Sequence, residues 1–260
     1  MSALAVSGLG IAVGETWLLR DVDISVSPGE LVIVLGPNGA GKSTLLHALA
    51  GDSTPSEGRV ELGGQRVSDM SLAELARDRA VVTPPKPVAF DYSVRDIVGL
   101  GWQGGPSGDA REREEALSRI MVTVEIEHLA DRVYRTLSSG EKQRVQFARA
   151  LLQVHRPEGT ADVRYLLLDE PTANLDVRHA IALLDSLRTL SEQRVGILAI
   201  VHDLDLGARF ADRIVLLAGG RVVASGTPET VMTAERLTRV YGTPVHVEHN
   251  ETLGRLTVLT

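Results

Sequence analysis

Leu31-Val32-Ile33-Val34-Leu35, followed at once by Gly36-Pro37-Asn38-Gly39-Ala40-Gly41-Lys42-Ser43, is the stretch that decides the fold. An unbroken apolar run of branched residues predicts a strand buried on both faces, as in a parallel sheet. The eight residues after it satisfy G-x-x-x-x-G-K-[ST], and residues 44–50, beginning at Thr44, read as a helix stopped by Gly51. That setting gives the motif its meaning. Glycines let successive backbone N–H groups face one anion, and the helix N-terminus adds its positive dipole end. Lys42 would reach the β- and γ-phosphates of a nucleotide, and the Ser43 hydroxyl would hold Mg²⁺.

Outward from this loop the same alternation recurs. Residues 165–168 (YLLL) and 195–201 (VGILAIV) are short apolar runs, each followed by a polar turn. Gly63-Gly64 and Gly219-Gly220 read as two-residue hairpin turns, joining 60–62 to 65–67 and 214–218 to 221–224. A last hairpin is expected between 245–248 and 255–259. Ser71 with Glu74 reads as a capping box. From Asp109 to about Val124 a charged stretch places Ala116, Leu117, Ile120 and Met121 on one helical face. Residues 102–108 read as a loop, and a mostly helical lobe is expected over about 85–153. The fold class is therefore α/β: a mainly parallel sheet with an antiparallel β subdomain and a helical lobe.

Composition narrows the chemistry. The chain has 260 residues, no cysteine and 43% hydrophobic residues. That excludes thiol catalysis, Cys-ligated metal and intrinsic disorder. Its 27 Lys and Arg against 34 Asp and Glu give a net charge of -7, which argues against nucleic acid as a partner. Met1-Ser2-Ala3-Leu4 lacks the basic and apolar regions of a signal peptide. The longest apolar run falls far short of the roughly 20 residues that cross a bilayer.

The YLLL run ends in Asp169-Glu170, two carboxylates at the carboxyl end of a strand, where nucleotide chemistry in α/β sheets sits. Asp169 is the second candidate for Mg²⁺, beside Ser43. Glu170 is the candidate to polarise an attacking water.

At this point the sequence resembles the ATP-binding subunits of ABC transporters. Leu137-Ser138-Ser139-Gly140-Glu141 is similar to the LSGGQ signature, departing from it at Ser139 and Glu141. Pro171-Thr172-Ala173-Asn174-Leu175-Asp176 resembles the D-loop, and His202-Asp203 the switch histidine. The order and spacing match over essentially the whole chain, which implies one nucleotide-binding domain over 1–260 with a P-loop NTPase core. The resemblance implies ATP and Mg²⁺ as cofactors, with Glu170, His202 and Lys42 as catalytic residues. It implies a homodimer closing head to tail, in which Ser138, Ser139, Gly140, Glu141 and Asp176 face the nucleotide held by the partner. It also implies a membrane permease dimer and a substrate-binding protein as further partners, and a peripheral place on the cytoplasmic side of the membrane.

Two departures follow. The glutamine usual after the strand preceding the helical lobe is missing from 81–87, where Pro84 aligns with it; Gln103 is another amide in the region. Near the adenine-stacking position stands Val13, with Trp17 the nearest aromatic. Residues 84–103, in which Phe90, Tyr92 and Trp102 are expected to be exposed, are the expected permease-docking stretch. The polar insertion 153–164, with RYLLLDEP, looks like haem importer ATPases; within it His155 reads as a solvated loop residue. The alternatives are siderophore or cobalamin import, or a soluble ABC ATPase of iron–sulfur cluster assembly. A DNA-repair ATPase needs a coiled-coil insertion that 260 residues cannot hold, and a P-loop kinase has no use for LSSGE.

Overall fold

A computed structural model describes residues 3–84, 90–103, 110–156 and 163–259. In chain order the elements are β1 (Leu4–Val13), β2 (Thr16–Val26), β3 (Leu31–Leu35), α1 (Lys42–Ala50), β4 (Glu57–Leu62), β5 (Gln65–Arg66), α2 (Leu72–Asp78), β6 (Arg79–Val82), α3 (Val94–Gly99), α4 (Ala110–Thr123) and α5 (Ser139–Val154). They continue as β7 (Arg164–Asp169), α6 (Val177–Glu192), β8 (Val195–Ile200), α7 (Leu204–Phe210), β9 (Arg213–Ala218), β10 (Arg221–Gly226), α8 (Pro228–Val231), α9 (Ala234–Tyr241), β11 (His246–Asn250) and β12 (Arg255–Leu259).

The apolar runs form the centre of a six-stranded sheet ordered β10-β9-β3-β8-β7-β6. All its pairings are parallel except the edge pair β9–β10 across Gly219-Gly220. β3, β7 and β8 are buried along their whole length, which explains why they read as continuous hydrophobic runs rather than alternating ones. Their carboxyl ends lie side by side, and each runs directly into a segment bearing candidate site residues. β6 is an edge strand, paired on one side only, opposite the edge strand β10.

A second sheet, antiparallel and ordered β2-β1-β4-β5, covers one face. The Gly63-Gly64 hairpin is part of it, but sequence reading did not anticipate β1 and β2. β1 carries Gly8 and Gly10 inside it, and its register with β2 slips between Val6 and Leu9, where Gly8 adopts φ 55°. β2 alternates charged and apolar residues, so its buried Leu19, Val22, Ile24 and Val26 make no continuous run. Leu4, Val6, Leu9 and these β2 residues share a core with the outward faces of β3 and α1.

The expected helical lobe contains α3, α4 and α5; residues 85–89 and 104–109, including most of the expected 102–108 loop and Asp109, lie outside the described residues. The capping box at Ser71 is present in full, and Ala116, Leu117 and Met121 are buried on α4 while Ile120 is half-buried against the core. β11 and β12 form the expected last hairpin, which packs on α7. No described helix is long and apolar enough to cross a membrane.

Candidate active site

β3 delivers the phosphate loop. Its first glycine adopts φ 151°, and a Cβ there would lie 2.0 Å from the Leu217 carbonyl oxygen of β9, so only glycine fits. Gly41, at φ 98°, caps α1, and a Cβ on it would meet Leu19 Cδ2 at 2.6 Å. The helix therefore starts at Lys42, two residues before the expected 44. Lys42 is only 6% exposed, and its Nζ donates to the carbonyls of Gly36 at 2.7 Å and Pro37 at 2.9 Å. Burial lowers its pKa from 10.5, while the charges of Glu170 and Asp169 oppose that shift. Asn38 and Gly39 are exposed at the loop tip, Pro37 is half-exposed, Ala40 is buried beneath, and Thr44 is half-buried on α1.

The acidic pair arrives beside this loop from β7. Ser43 Oγ donates to Asp169 Oδ1 at 3.3 Å. Asp169 is 6% exposed, and its carboxyl is raised above 3.8 mainly by burial; the Ser43 hydrogen bond pulls the other way. A hydroxyl and a carboxylate are the hard oxygen donors that suit Mg²⁺, which keeps waters and substrate phosphates as its remaining ligands. Among the described residues no cluster of three or more His, Asp or Glu forms a metal cage, so the pair fits that open coordination alone. From β8 comes His202, whose Nε2 lies 2.6 Å from Glu170 Oε1. Glu170 itself has φ 50°, an unusual conformation for a non-glycine residue. Its carbonyl accepts from Gln143 Nε2 at 3.4 Å. Gln143 is 2% exposed, and sequence reading did not single it out. The available signal was a glutamine on the apolar face of α5.

The structure thus gathers Lys42, Ser43, Asp169, Glu170 and His202. It keeps the signature residues apart: among the described residues no hydrogen bond or ion pair joins 138–141 to the phosphate loop. Ser138 caps α5, accepting from Glu141 N at 3.3 Å, and Glu141 Oε2 accepts from Ser138 N at 2.7 Å. The Glu141 carboxyl is held below 4.5 first by that backbone N–H and then by the Ser138 hydroxyl. Gly140 lies against the Asn174 carbonyl, so the signature helix and the segment after Glu170 pack directly on each other. Asp176 caps α6, accepting from His179 N at 2.9 Å.

The departures also have places. Pro84 follows the end of β6 by two residues and is exposed. Gln103 is half-buried at the far end of the same stretch. Phe90 and Tyr92 are exposed, whereas Trp102 is half-buried against the core, so its expected exposure is corrected. His155 is likewise not a solvated loop residue. It ends α5, half-buried with its ring stacked on Trp102 at 6.4 Å between centroids, and burial lowers its pKa. Residues 157–162 of the polar insertion lie outside the described residues. Trp17 pairs with Ala12 across β1–β2, past an irregularity in the register that separates it from the Ile11–Leu19 pair, and its ring lies against Gly10 with the Arg20 guanidinium 5.5 Å from its centroid.

Comparison with known proteins bears on this arrangement. The ABC transporter family profile matches residues 19–173, well over half of the chain. The chain belongs to the ABC transporter family. As a member it is an ABC-type ATPase coupled to transport. It is 44% identical over 258 residues to the hemin import ATP-binding protein HmuV of Bordetella pertussis, covering 98% of each chain. Its fold is similar to the solved ATP-binding subunit of an ABC transporter, with a TM-score of 0.77, 28% identity, and 94% and 95% of the two chains covered. It is also similar to the bacterial ABC transporter cassette MJ0796, solved as a dimer, with a TM-score of 0.75, 25% identity, and 86% of this chain and 98% of that one covered.

Proposed function

We propose that this ABC transporter chain hydrolyses ATP to drive haem import. In this reading it works as a homodimer on the cytoplasmic face of a membrane permease dimer supplied by a substrate-binding protein. The observation that carries the hydrolytic part is the convergence of Lys42, Ser43, Asp169, Glu170 and His202 at the ends of three adjacent strands. The near-full-length similarity to a hemin import protein supports the cargo.

The chemistry follows from the side chains. Backbone N–H groups of residues 38–44 and the α1 dipole cradle the phosphates, while the buried Lys42 ammonium faces the outer oxygens. Mg²⁺, held by Ser43 and Asp169 with the phosphates, would neutralise charge on the transferring group. Glu170 orients the attacking water as general base. The 2.6 Å contact with His202 fixes one carboxylate oxygen, leaving the other for that water. His202 also contacts the γ-phosphate. Ser138 Oγ accepts from Glu141 N while its hydroxyl bonds the Glu141 carboxylate, so what it offers an anion is its place at a helix N-terminus. With Ser139 and Gly140 at the N-terminus of α5 it completes the partner chain's site. Glu141, committed to the capping box, acts by stiffening that helix start, and Asp176 fixes the neighbouring α6. Residues 84–103, with exposed Phe90 and Tyr92, meet the permease.

Two measurements test this. Lys42→Ala should lower ATP hydrolysis at least about 100-fold, whereas Glu170→Gln should accumulate an ATP-dependent dimer on size exclusion. A persistent Glu170→Gln monomer at saturating ATP contradicts the sandwich. Reconstituted with its permease, the protein should support ATP-dependent uptake of haem over a ferric siderophore or cobalamin; preference for either of the latter reassigns the cargo.

A further inference from the structure

His202 sits in the turn between β8 and α7, so its position depends on how α7 is held. α7 has seven residues, too few to persist without tertiary support. Asp203 caps it, accepting from Leu206 N at 3.0 Å. One side packs on the sheet, where Gly207 lies close enough to Leu35 that a Cβ would meet its side chain at 3.2 Å. Leu35 is the residue before the phosphate loop. The other side is covered by the C-terminal hairpin, and the contact is specific. Arg255 Nη1 and Nη2 each donate to one oxygen of Asp205 at 2.9 Å, in the forked geometry that suits guanidinium and carboxylate. Val258 N adds a bond to Asp205 Oδ1 at 3.3 Å, and Arg255 Nη1 also reaches the Leu256 carbonyl at 3.0 Å.

We infer that Arg255 and Asp205 form a clamp through which the C-terminal hairpin positions His202 for hydrolysis. Both are positioning residues; neither touches the reacting atoms. The clamp sits in the first turn of α7, three residues beyond His202, so tilting the helix displaces the imidazole from Glu170. An exposed ion pair would contribute little, but this one is bidentate, has a third hydrogen bond, and leaves only 27% and 31% of its side chains accessible. A second contact comes from the same end of the chain. Tyr241, the last residue of α9, stands beside the backbone of Gly36, and burial pushes its phenol up to about 12. The residues after β10 therefore touch both the switch-histidine helix and the first glycine of the phosphate loop.

The inference rests on the proposed role of His202, so His202→Ala is run beside the clamp variants on the full-length chain. Arg255→Ala should lower kcat for ATP hydrolysis about tenfold with KM for ATP changed less than about twofold. Amide hydrogen exchange should rise in residues 202–210 and stay unchanged in the phosphate loop's helix α1. Asp205→Asn, which keeps the shape and removes the charge, should give the same split and serves where Arg255→Ala does not fold. If His202→Ala is slow while both folded clamp variants keep full kcat, the clamp is overturned and the reading of His202 stands. If His202→Ala itself turns over normally, that reading falls and the clamp with it. A loss confined to thermal stability, with kcat intact, reduces the pair to a structural staple and overturns the inference.

Discussion

Asp169 carries its carboxylate where charge is disfavoured. Burial raises its pKa above 3.8, Glu170 adds like-charge repulsion, and Ser43 offsets only part of this. A carboxyl raised in the folded state reduces stability at every pH above its ordinary value, because unfolding releases the charge to water. Asp169→Asn keeps the Ser43 hydrogen bond and removes the charge. It should therefore raise the thermal midpoint at pH 7 by about 2–4 °C while abolishing hydrolysis. Calorimetry and an ATPase assay read the two effects, and an unchanged or lower midpoint contradicts the account. At this scale the sequence was informative wherever a residue sits in a local motif: Lys42 and Ser43 in the loop, Asp169 and Glu170 after a strand. It was silent where the neighbour comes from elsewhere in the chain. Gln143 meets the Glu170 carbonyl across 27 positions, and Arg255 meets Asp205 across 50. Neither spacing leaves a pattern in the chain, since only the fold brings those partners together.

Some helices in this molecule begin on reciprocal side-chain bonds. α2, α3 and α5 each carry a full capping box, through Ser71–Glu74, Ser93–Asp96 and Ser138–Glu141. In each box the serine bonds hold the acid below its usual range. The sign follows directly. A depressed carboxylate stabilises fully above its ordinary pKa and loses that contribution as pH falls through the depressed folded value. Asp96→Ala should therefore cost about 0.5–1 kcal/mol at pH 7. That difference from the parent should shrink once pH drops below about 4. Thermal melts across that range check it, and a pH-independent difference would falsify the box as its source. Strands with tight glycine turns were as legible as the Ser71–Glu74 cap, whereas the Ser93–Asp96 box was not read from the sequence. β1 and β2 were not, because β1 absorbs its interior glycines in an irregular register and β2 buries only alternate residues.

The whole molecule divides by strand position. β3, β8 and β7 are adjacent and interior, each hydrogen-bonded on both sides, and together they carry the phosphate loop, His202 and the acidic pair. β6 has a partner on one side only and leads to Pro84 and the stretch that holds Phe90 and Tyr92. Native-state hydrogen exchange should show the slowest amides in β3 and β8 and distinctly faster ones in β6. Equal protection across all four strands contradicts this. For a machine that passes force to a neighbour, that placement separates two duties. The candidate site residues stand on interior strands braced on both sides. β6 leaves the sheet at its rim, where a single row of hydrogen bonds holds it. Pro84, two residues past the end of β6, has no N–H and so cannot extend that row, which leaves the strand's exit free of any further ladder bond there.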